Sequence, residues 1–266
     1  SSRFNPLSIL DPLSITIYED INLIADGLVV PYGPKSFWDS NAKSLLAGLI
    51  AHAFTTKKAD ATLVMVYRML GEVSKPKSTL LEEMHNNPAI RGLVQAAAND
   101  FESLSDRGRS DVVSTATDHI KWVVSPAMQE ALAASDFDFA ELKESPTTVY
   151  LVIPPDLLDE HGRFLRLFTN LAVKAASRGG RSKTPILFIL DEFYSLGTMT
   201  SLSSAAGLLA SYNIKLWPIV QNIGQMVERY PCNWETYIGN SGQIQAFGLV
   251  DTQTAGYFSG LLGRTM

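Results

Sequence analysis

Long apolar runs are missing from this chain of 266 residues. None reaches the roughly 18 to 20 residues that crossing a bilayer requires, and no signal-peptide pattern opens the sequence, so the stretch reads as soluble. Cysteine is nearly absent: Cys232 stands alone, which excludes an internal disulfide framework and suits a reducing compartment. Histidine is scarce too. His52, His85, His119 and His161 are scattered without metal-ligand spacing, so they read as surface or hydrogen-bonded imidazoles and imply no metal beyond one carried by a nucleotide. Positive charge is outweighed, 22 Lys and Arg against 27 Asp and Glu, for a net charge of −5. That balance argues against a general nucleic-acid binder acting alone, since such affinity rests on neutralising phosphates. Local basic loops remain free to touch DNA inside an assembly. Internal repeats and low-complexity tracts are absent as well.

Hydrophobic residues make up 46% and charged residues 18% of the chain, a globular composition. The length suits one large α/β domain or a medium one with a second lobe. Thr16 and Glu19 have capping-box spacing, and Ile17, Ile21, Ile24 and Leu28 then recur at helical intervals, which predicts a helix over 17–29. Ser36 is a second N-cap, followed by Phe37, Leu45, Leu46, Leu49, Ile50 and Ala53 in a longer amphipathic helix ending near Phe54. Between 61 and 134 the patterns are short and helical, broken at Gly71, Pro76, Pro88, Gly108 and Pro126, with Ser125 and Pro126 opening a short helix to Ala134. No convincing strand occurs there, which reads as an inserted all-helical lobe. The alternative is helices that cover one mixed α/β domain. After Pro146 strands and helices alternate. Strands are predicted at 147–155, 185–190, 214–221 and 242–250, and helices at Phe164–Ser177, Ser201–Tyr212 and Thr252–Leu262. Such alternation implies crossover connections and a parallel sheet covered by helices on both faces.

The most specific stretch is TPILFILDEF, from Thr184 to Phe193. A continuous apolar run reads as a strand buried on both faces, and carboxylates at its carboxyl end reach the crevice where open α/β sheets bind ligands. This is the layout of a Walker B strand, with Asp191 holding Mg²⁺ through a water and Glu192 polarising the water that attacks the γ-phosphate of ATP. Solvated loop carboxylates, or the N-terminal charge of a following helix, produce the same pattern. A Walker B strand demands a phosphate loop, GxxxxGK[ST], between a strand and a helix, and the sequence contains none. In GLVVPYGPKS, Gly27, Gly33, Lys35 and Ser36 are wrongly spaced and Pro34 replaces an amide donor. In RGGRSKT, Gly179, Gly180, Lys183 and Thr184 follow a helix and precede a strand, the reverse of the required order. These read as a loop leading into a helix and as a helix C-cap. Either the chain binds no ATP or the loop lies upstream of Ser1. The abrupt ends, SSRFNPL and LLGRTM, suit a fragment of something longer.

The sequence resembles the TraG/TraD-type coupling proteins of type IV secretion and conjugation systems. The resemblance runs through most of the chain: RFNPL, FWDSNAKSLLAGLI, SDFDFAELKESPTTVYLVIPPDLL, LFILDEFYSLG, IKLWPIVQNIGQMVERY, NWETYIGNSG and SGLLG. DEF-x-x-LG and VQ-x-x-x-Q are its most specific parts, and 61–134 its weakest. It implies a RecA-like P-loop NTPase core with a parallel sheet and an inserted all-α domain. Residues 1–60 and 135–266 would form the nucleotide-binding part and 61–134 the insertion, with the phosphate loop just before RFNPL. It further implies a homo-hexameric ATPase at the cytoplasmic face of a bacterial inner membrane, anchored through a region outside this chain. The cofactors would be ATP and Mg²⁺, and the partners a DNA-relaxase complex or effector proteins as cargo together with channel components.

Carried over, Asp191 and Glu192 look like Walker B and Gln221 like the polar residue that ends the next strand and senses the γ-phosphate; a loop amide bonding nearby backbone is the plainer alternative. Where relatives can carry an arginine that reaches a neighbouring subunit, this chain has Ser211, Tyr212 and Asn213. Arg229 and Arg264 are then candidates only. A chromosome or phage DNA translocase of the same ATPase class, and a nucleotide-free binding module, are the competing readings. Without a phosphate loop, this chain alone is expected to be inactive.

Overall fold

The computed structural model describes residues 2–30, 36–199, 202 and 207–263. Two compact units emerge, one of residues 1–141 with 163–171 and one of 142–162 with 172–266.

In the first unit, α1 (Ile17–Leu28) starts where the periodicity places it, but Thr16 makes no side-chain cap; its hydroxyl donates to Asp20 at 3.3 Å instead. The predicted capping box at 16 to 19 is therefore not formed. The box appears instead at α2 (Phe37–Lys57), where the Asp39 N–H donates to Ser36 Oγ at 3.1 Å and the Ser36 N–H donates to Asp39 Oδ2 at 3.0 Å. Two otherwise unpaired donors are satisfied reciprocally, and the helix runs past Phe54 to Lys57. Then follow α3 (Leu63–Val73), α4 (Thr79–His85), α5 (Ala89–Glu102), α6 (Asp106–Ile120) and α7 (Pro126–Ala131). Thr62, Ser78 and Ser105 cap α3, α4 and α6 by accepting from the N–H three residues on, and Pro126 occupies the first turn of α7, where its missing N–H costs nothing.

Leu45, Leu46, Leu49 and Ile50 on α2 are fully buried, and α2 packs on α1, α3, α5 and α6. Gly48 permits a close approach of α2 to α5, because a Cβ there would collide with Ala97 Cβ. The first compact unit runs across residues 60 and 61 without a break. α2 is apolar around most of its circumference, so it serves as the core on which the helices of 61–134 assemble. As expected, those residues hold no strand.

In the second unit a one-turn α8 (Glu141–Glu144) precedes α9 (Leu158–Ser177), which begins earlier than Phe164 and contributes its middle residues to the first unit. Gly179 and Gly180, with φ of 70° and 86°, end the helix in left-handed conformations open to glycine. β1 (Ile186–Leu190) and β2 (Ile214–Pro218) pair in parallel, with Ile186 opposite Ile214 and Leu190 opposite Pro218. β2 leads to α10 (Ile223–Arg229), α11 (Trp234–Gly239) and α12 (Thr252–Leu262).

Two expectations need correction here. Segments 147–155 and 242–250 join no ladder among the described residues, and Tyr150, Val152, Phe247 and Val250 stand exposed. Apolar alternation makes a strand only where an edge offers hydrogen-bond partners. The sheet is not covered on both faces either: Leu187, Ile189 and Trp217, on one face, are 50%, 58% and 48% exposed. The predicted helix Ser201–Tyr212 is helical at residues 202 and 207–209 and tightens to a 3-10 turn at Ala210–Tyr212, while residues 201 and 203–206 lie outside the described ones. Gly33 and Lys35 also lie outside them.

Candidate functional site

The site begins where β1 runs out. Leu190 is buried, and the chain then turns with Glu192 in the left-handed region, at φ 49° and ψ 48°, a conformation that costs a residue with a Cβ about 1–2 kcal/mol. Several bonds hold it. The Glu192 N–H donates to Asp191 Oδ1 at 3.1 Å, and the Ser195 N–H donates to the Glu192 carbonyl at 2.8 Å, opening the 3-10 turn Phe193–Leu196. The Ile219 N–H donates to the Leu190 carbonyl and the Phe193 N–H to the Ile219 carbonyl, both at 3.0 Å. The end of β2 is thereby laced to the turn. Phe193 is buried and lies parallel to Tyr230, with centroids 5.9 Å apart, and edge-on to Tyr237 at 5.6 Å. An aromatic anchor beneath the turn leaves the two carboxylates exposed above it.

Gln221 lies just beyond β2. Its N–H donates to Gln225 Oε1 at 2.9 Å, and its Nε2 donates to Glu192 Oε1 at 3.4 Å, a long bond. Asp191, Glu192 and Gln221 therefore meet at the carboxyl ends of two parallel strands. No ion pair with Lys or Arg engages either carboxylate among the described residues, and no group of three His, Cys, Asp or Glu there could cage a metal. That donor set fits Mg²⁺, which takes one or two carboxylates and completes its shell with water and phosphate oxygens.

Of the candidate trans-acting arginines, Arg264 lies outside the described residues. Arg229 ends α10 with its guanidinium 4.1 Å over the Tyr194 ring. Sequence reasoning missed Tyr194 and Glu228, whose side chains bond at 2.8 Å. The readable signal was Asn222, which caps α10 by accepting from the Gln225 N–H at 3.0 Å and so fixes where that helix begins. Also unforeseen is a cleft of about 690 Å³ in the helical unit, lined by His52, Thr55, Thr79, Glu82, Glu83 and Asn87. His52, His119 and His161 are buried, and His52 and His119 are hydrogen-bonded, to Asn87 and Asp39 respectively. Burial pushes the His52 imidazole below its ordinary pKa, with Glu83 opposing.

A family model described as type IV secretory system conjugative DNA transfer matches residues 1–266. Conjugal transfer protein TraG of Escherichia coli is 29% identical over 301 aligned positions, covering 99% of this chain and 46% of that protein. VirD4 of Agrobacterium fabrum is 26% identical, covering 87% of this chain and 35% of its own length. The chain thus spans less than half the length of these curated relatives. Plasmid coupling protein TrwB in complex with ADP and Mg²⁺ superposes with a TM-score of 0.63 at 15% identity, over 90% of this chain and 55% of that one. TrwB with a non-hydrolysable ATP analogue gives the same score and identity. The fold is the one seen in TrwB, here with parallel strands and a large helical component. The chain belongs to the type IV secretory system conjugative DNA transfer family.

Proposed function

We propose that this chain is part of a hexameric, ATP-driven coupling protein that recruits DNA, protein or both and passes them to a type IV secretion channel. The observation that carries the reading is the meeting of Gln221 Nε2 with Glu192 Oε1 at 3.4 Å, beside Asp191, at the carboxyl ends of β1 and β2. Family membership and the nucleotide-bound TrwB neighbours support it. Residues 1–60 and 135–266 belong in this reading to the nucleotide-binding part and 61–134 to an all-α insertion that meets cargo or its adaptor. The whole protein sits at the cytoplasmic face of the inner membrane, anchored by a region outside this chain.

Asp191, with no cation partner among the described residues, would hold Mg²⁺ through a water. When bound, the ion neutralises charge on the β- and γ-phosphates. Glu192 orients and polarises the attacking water, and the turn that fixes its backbone sets the direction of its carboxylate. Gln221 has an amide that both donates and accepts. It donates to Glu192 here, and with nucleotide bound it would donate to the γ-phosphate, so loss of that phosphate changes the hydrogen bonding of the base.

The phosphate-cradling loop is supplied by residues outside this chain, so the chain alone is expected to show no hydrolysis. In a protein extended upstream, titration with labelled ATP and Mg²⁺ should show binding. Glu192→Gln should keep that binding and cut turnover by roughly 10² to 10⁴, as expected for loss of a general base. Undiminished turnover would remove Glu192 from the mechanism.

A further inference from the structure

Building on that reading, we infer that α10 is a connecting rod between Gln221 and the Glu192 turn, and that Tyr194 and Glu228 are the positioning residues that fasten its far end. One end of the rod is the site. Asn222 caps α10, Gln225 Oε1 accepts the Gln221 N–H at 2.9 Å, and Thr254 Oγ1 of α12 accepts the Ile223 N–H at 3.0 Å. Gln221 thus has no backbone slack relative to the helix. The other end grips the turn that carries Glu192. Tyr194 donates its hydroxyl to Glu228 Oε1 at 2.8 Å while the Arg229 guanidinium lies 4.1 Å over the same ring. Thr198 Oγ1 donates to the Arg229 carbonyl at 3.1 Å, and Tyr230, just past the helix, accepts the Met199 N–H at 3.1 Å and stacks on Phe193.

The 7 residues of α10 span about 10 Å at 1.5 Å per residue. A short helix pinned at both ends moves as a body or not at all. A shift of Gln221 on loss of a γ-phosphate is therefore delivered twice to the same turn, directly through the bond from the Gln221 amide to the Glu192 carboxylate and indirectly through Tyr194, two residues along from the base. Tyr194 touches no reacting atom in this account. Its hydroxyl sets the angle of the turn, and its ring keeps Arg229 in place, so the guanidinium is committed to the ring face rather than to either carboxylate.

The test is a double-mutant cycle in the whole protein, read as DNA-stimulated ATP turnover. Tyr194→Phe keeps the ring and its stacking but removes the hydroxyl; we expect kcat to fall roughly 5- to 30-fold with KM for ATP within about twofold, the signature of lost transition-state positioning. Glu228→Ala should match it, and Glu228→Gln, which keeps an acceptor oxygen, should restore most of the rate. In the Gln221→Ala background, Tyr194→Phe should cost less than about twofold more, because coupled residues are non-additive. Fully additive losses, or a Tyr194→Phe protein that turns over like wild type while Gln221→Ala does not, would overturn the rod and leave the catalytic reading standing. A Gln221→Ala protein with unchanged stimulated turnover would overturn that reading and the rod with it.

Discussion

In the helical unit Leu45, Leu46, Leu49 and Ile50 lie packed out of solvent among α1, α3, α5 and α6, whereas in the other unit Leu187, Ile189 and Trp217 remain about half exposed on one face of a two-stranded sheet. Similar side chains have met two different fates. Burial of a Leu or Ile contributes roughly 1.5–3 kcal/mol, so the first group stabilises its unit fully and the second only in part. The chemistry lies on the less covered element. Carboxylates at the end of β1 are placed by backbone bonds and an aromatic anchor, not by a deep core, and a site built that way depends on the bonds that lace its turn.

The largest effect that tests this contrast is a pair of truncations. Leu49→Ala should cost about 2–5 kcal/mol, as for a buried leucine whose neighbours relax only partly. Ile189→Ala should stay within about 0.5 kcal/mol, as for a site away from packed features. Urea midpoints on this chain would check both. Equal losses would erase the contrast. A large loss for Ile189→Ala in the upstream-extended protein, absent in this chain, would sharpen it by placing further structure against that face.

A smaller effect concerns Gly48. Here α2 and α5 approach so closely that an added Cβ meets Ala97 Cβ, part of the backbone-proximal core and not the end of a flexible side chain. Gly48→Ala should therefore destabilise by about 1–3 kcal/mol through overpacking, even though alanine is the better helix former by roughly 1 kcal/mol. Gly71, on α3, has nothing within 4 Å of such a Cβ, so Gly71→Ala should be neutral or stabilising. A melt in which the two variants shift together would refute the close approach.

The same contrast explains what could be read from sequence. α1 and α12 were legible from periodic apolar residues and α2 from these and the Ser36 cap, all local signals, and β1 and β2 because a short apolar run ending in carboxylates or an amide has little else to be. Asp191, Glu192 and Gln221 were legible as types at positions. Their meeting at 3.4 Å was an expectation from parallel strands ending on one side. Not legible were the unpaired stretches 147–155 and 242–250, since ladder formation depends on a partner edge that no local pattern encodes. α2 was expected to be amphipathic but is buried around most of its circumference, because the helices packed around it, which no local pattern names, cover the side expected to face water. Tyr194 and Glu228 are 34 positions apart, and only the length of α10 brings them together.

The smallest effect belongs to His119, and its sign decides whether the helical unit is acid-sensitive. The ring is buried, shares a bond of 3.1 Å between Nε2 and Asp39 Oδ1, and presents Nδ1 to the Val30 N–H at 3.4 Å. An Nδ1 that accepts carries no proton, so the neutral ring with its proton on Nε2 satisfies both contacts. Burial holds the imidazole below its ordinary pKa and Arg163 adds to this, while the bond to Asp39 and the charges of Asp39 and Asp118 oppose it. The folded protein therefore binds a proton less readily than the unfolded chain, whose histidine titrates near 6.5. The stabilisation is complete above about pH 6.5 and is lost as the pH falls toward the folded value, at no more than about 1.4 kcal/mol per pH unit for one proton. Asp39, held below its usual range by Ser36 and His119 against the opposing effect of burial, contributes above about pH 4 and is lost only in stronger acid. His119→Gln keeps a donor for Asp39 and removes the titration, so its urea midpoint should fall less between pH 7 and 5.5 than that of the parent. His52, also depressed by burial, would leave a residual slope. A variant with the parent's full slope would assign the acid sensitivity elsewhere.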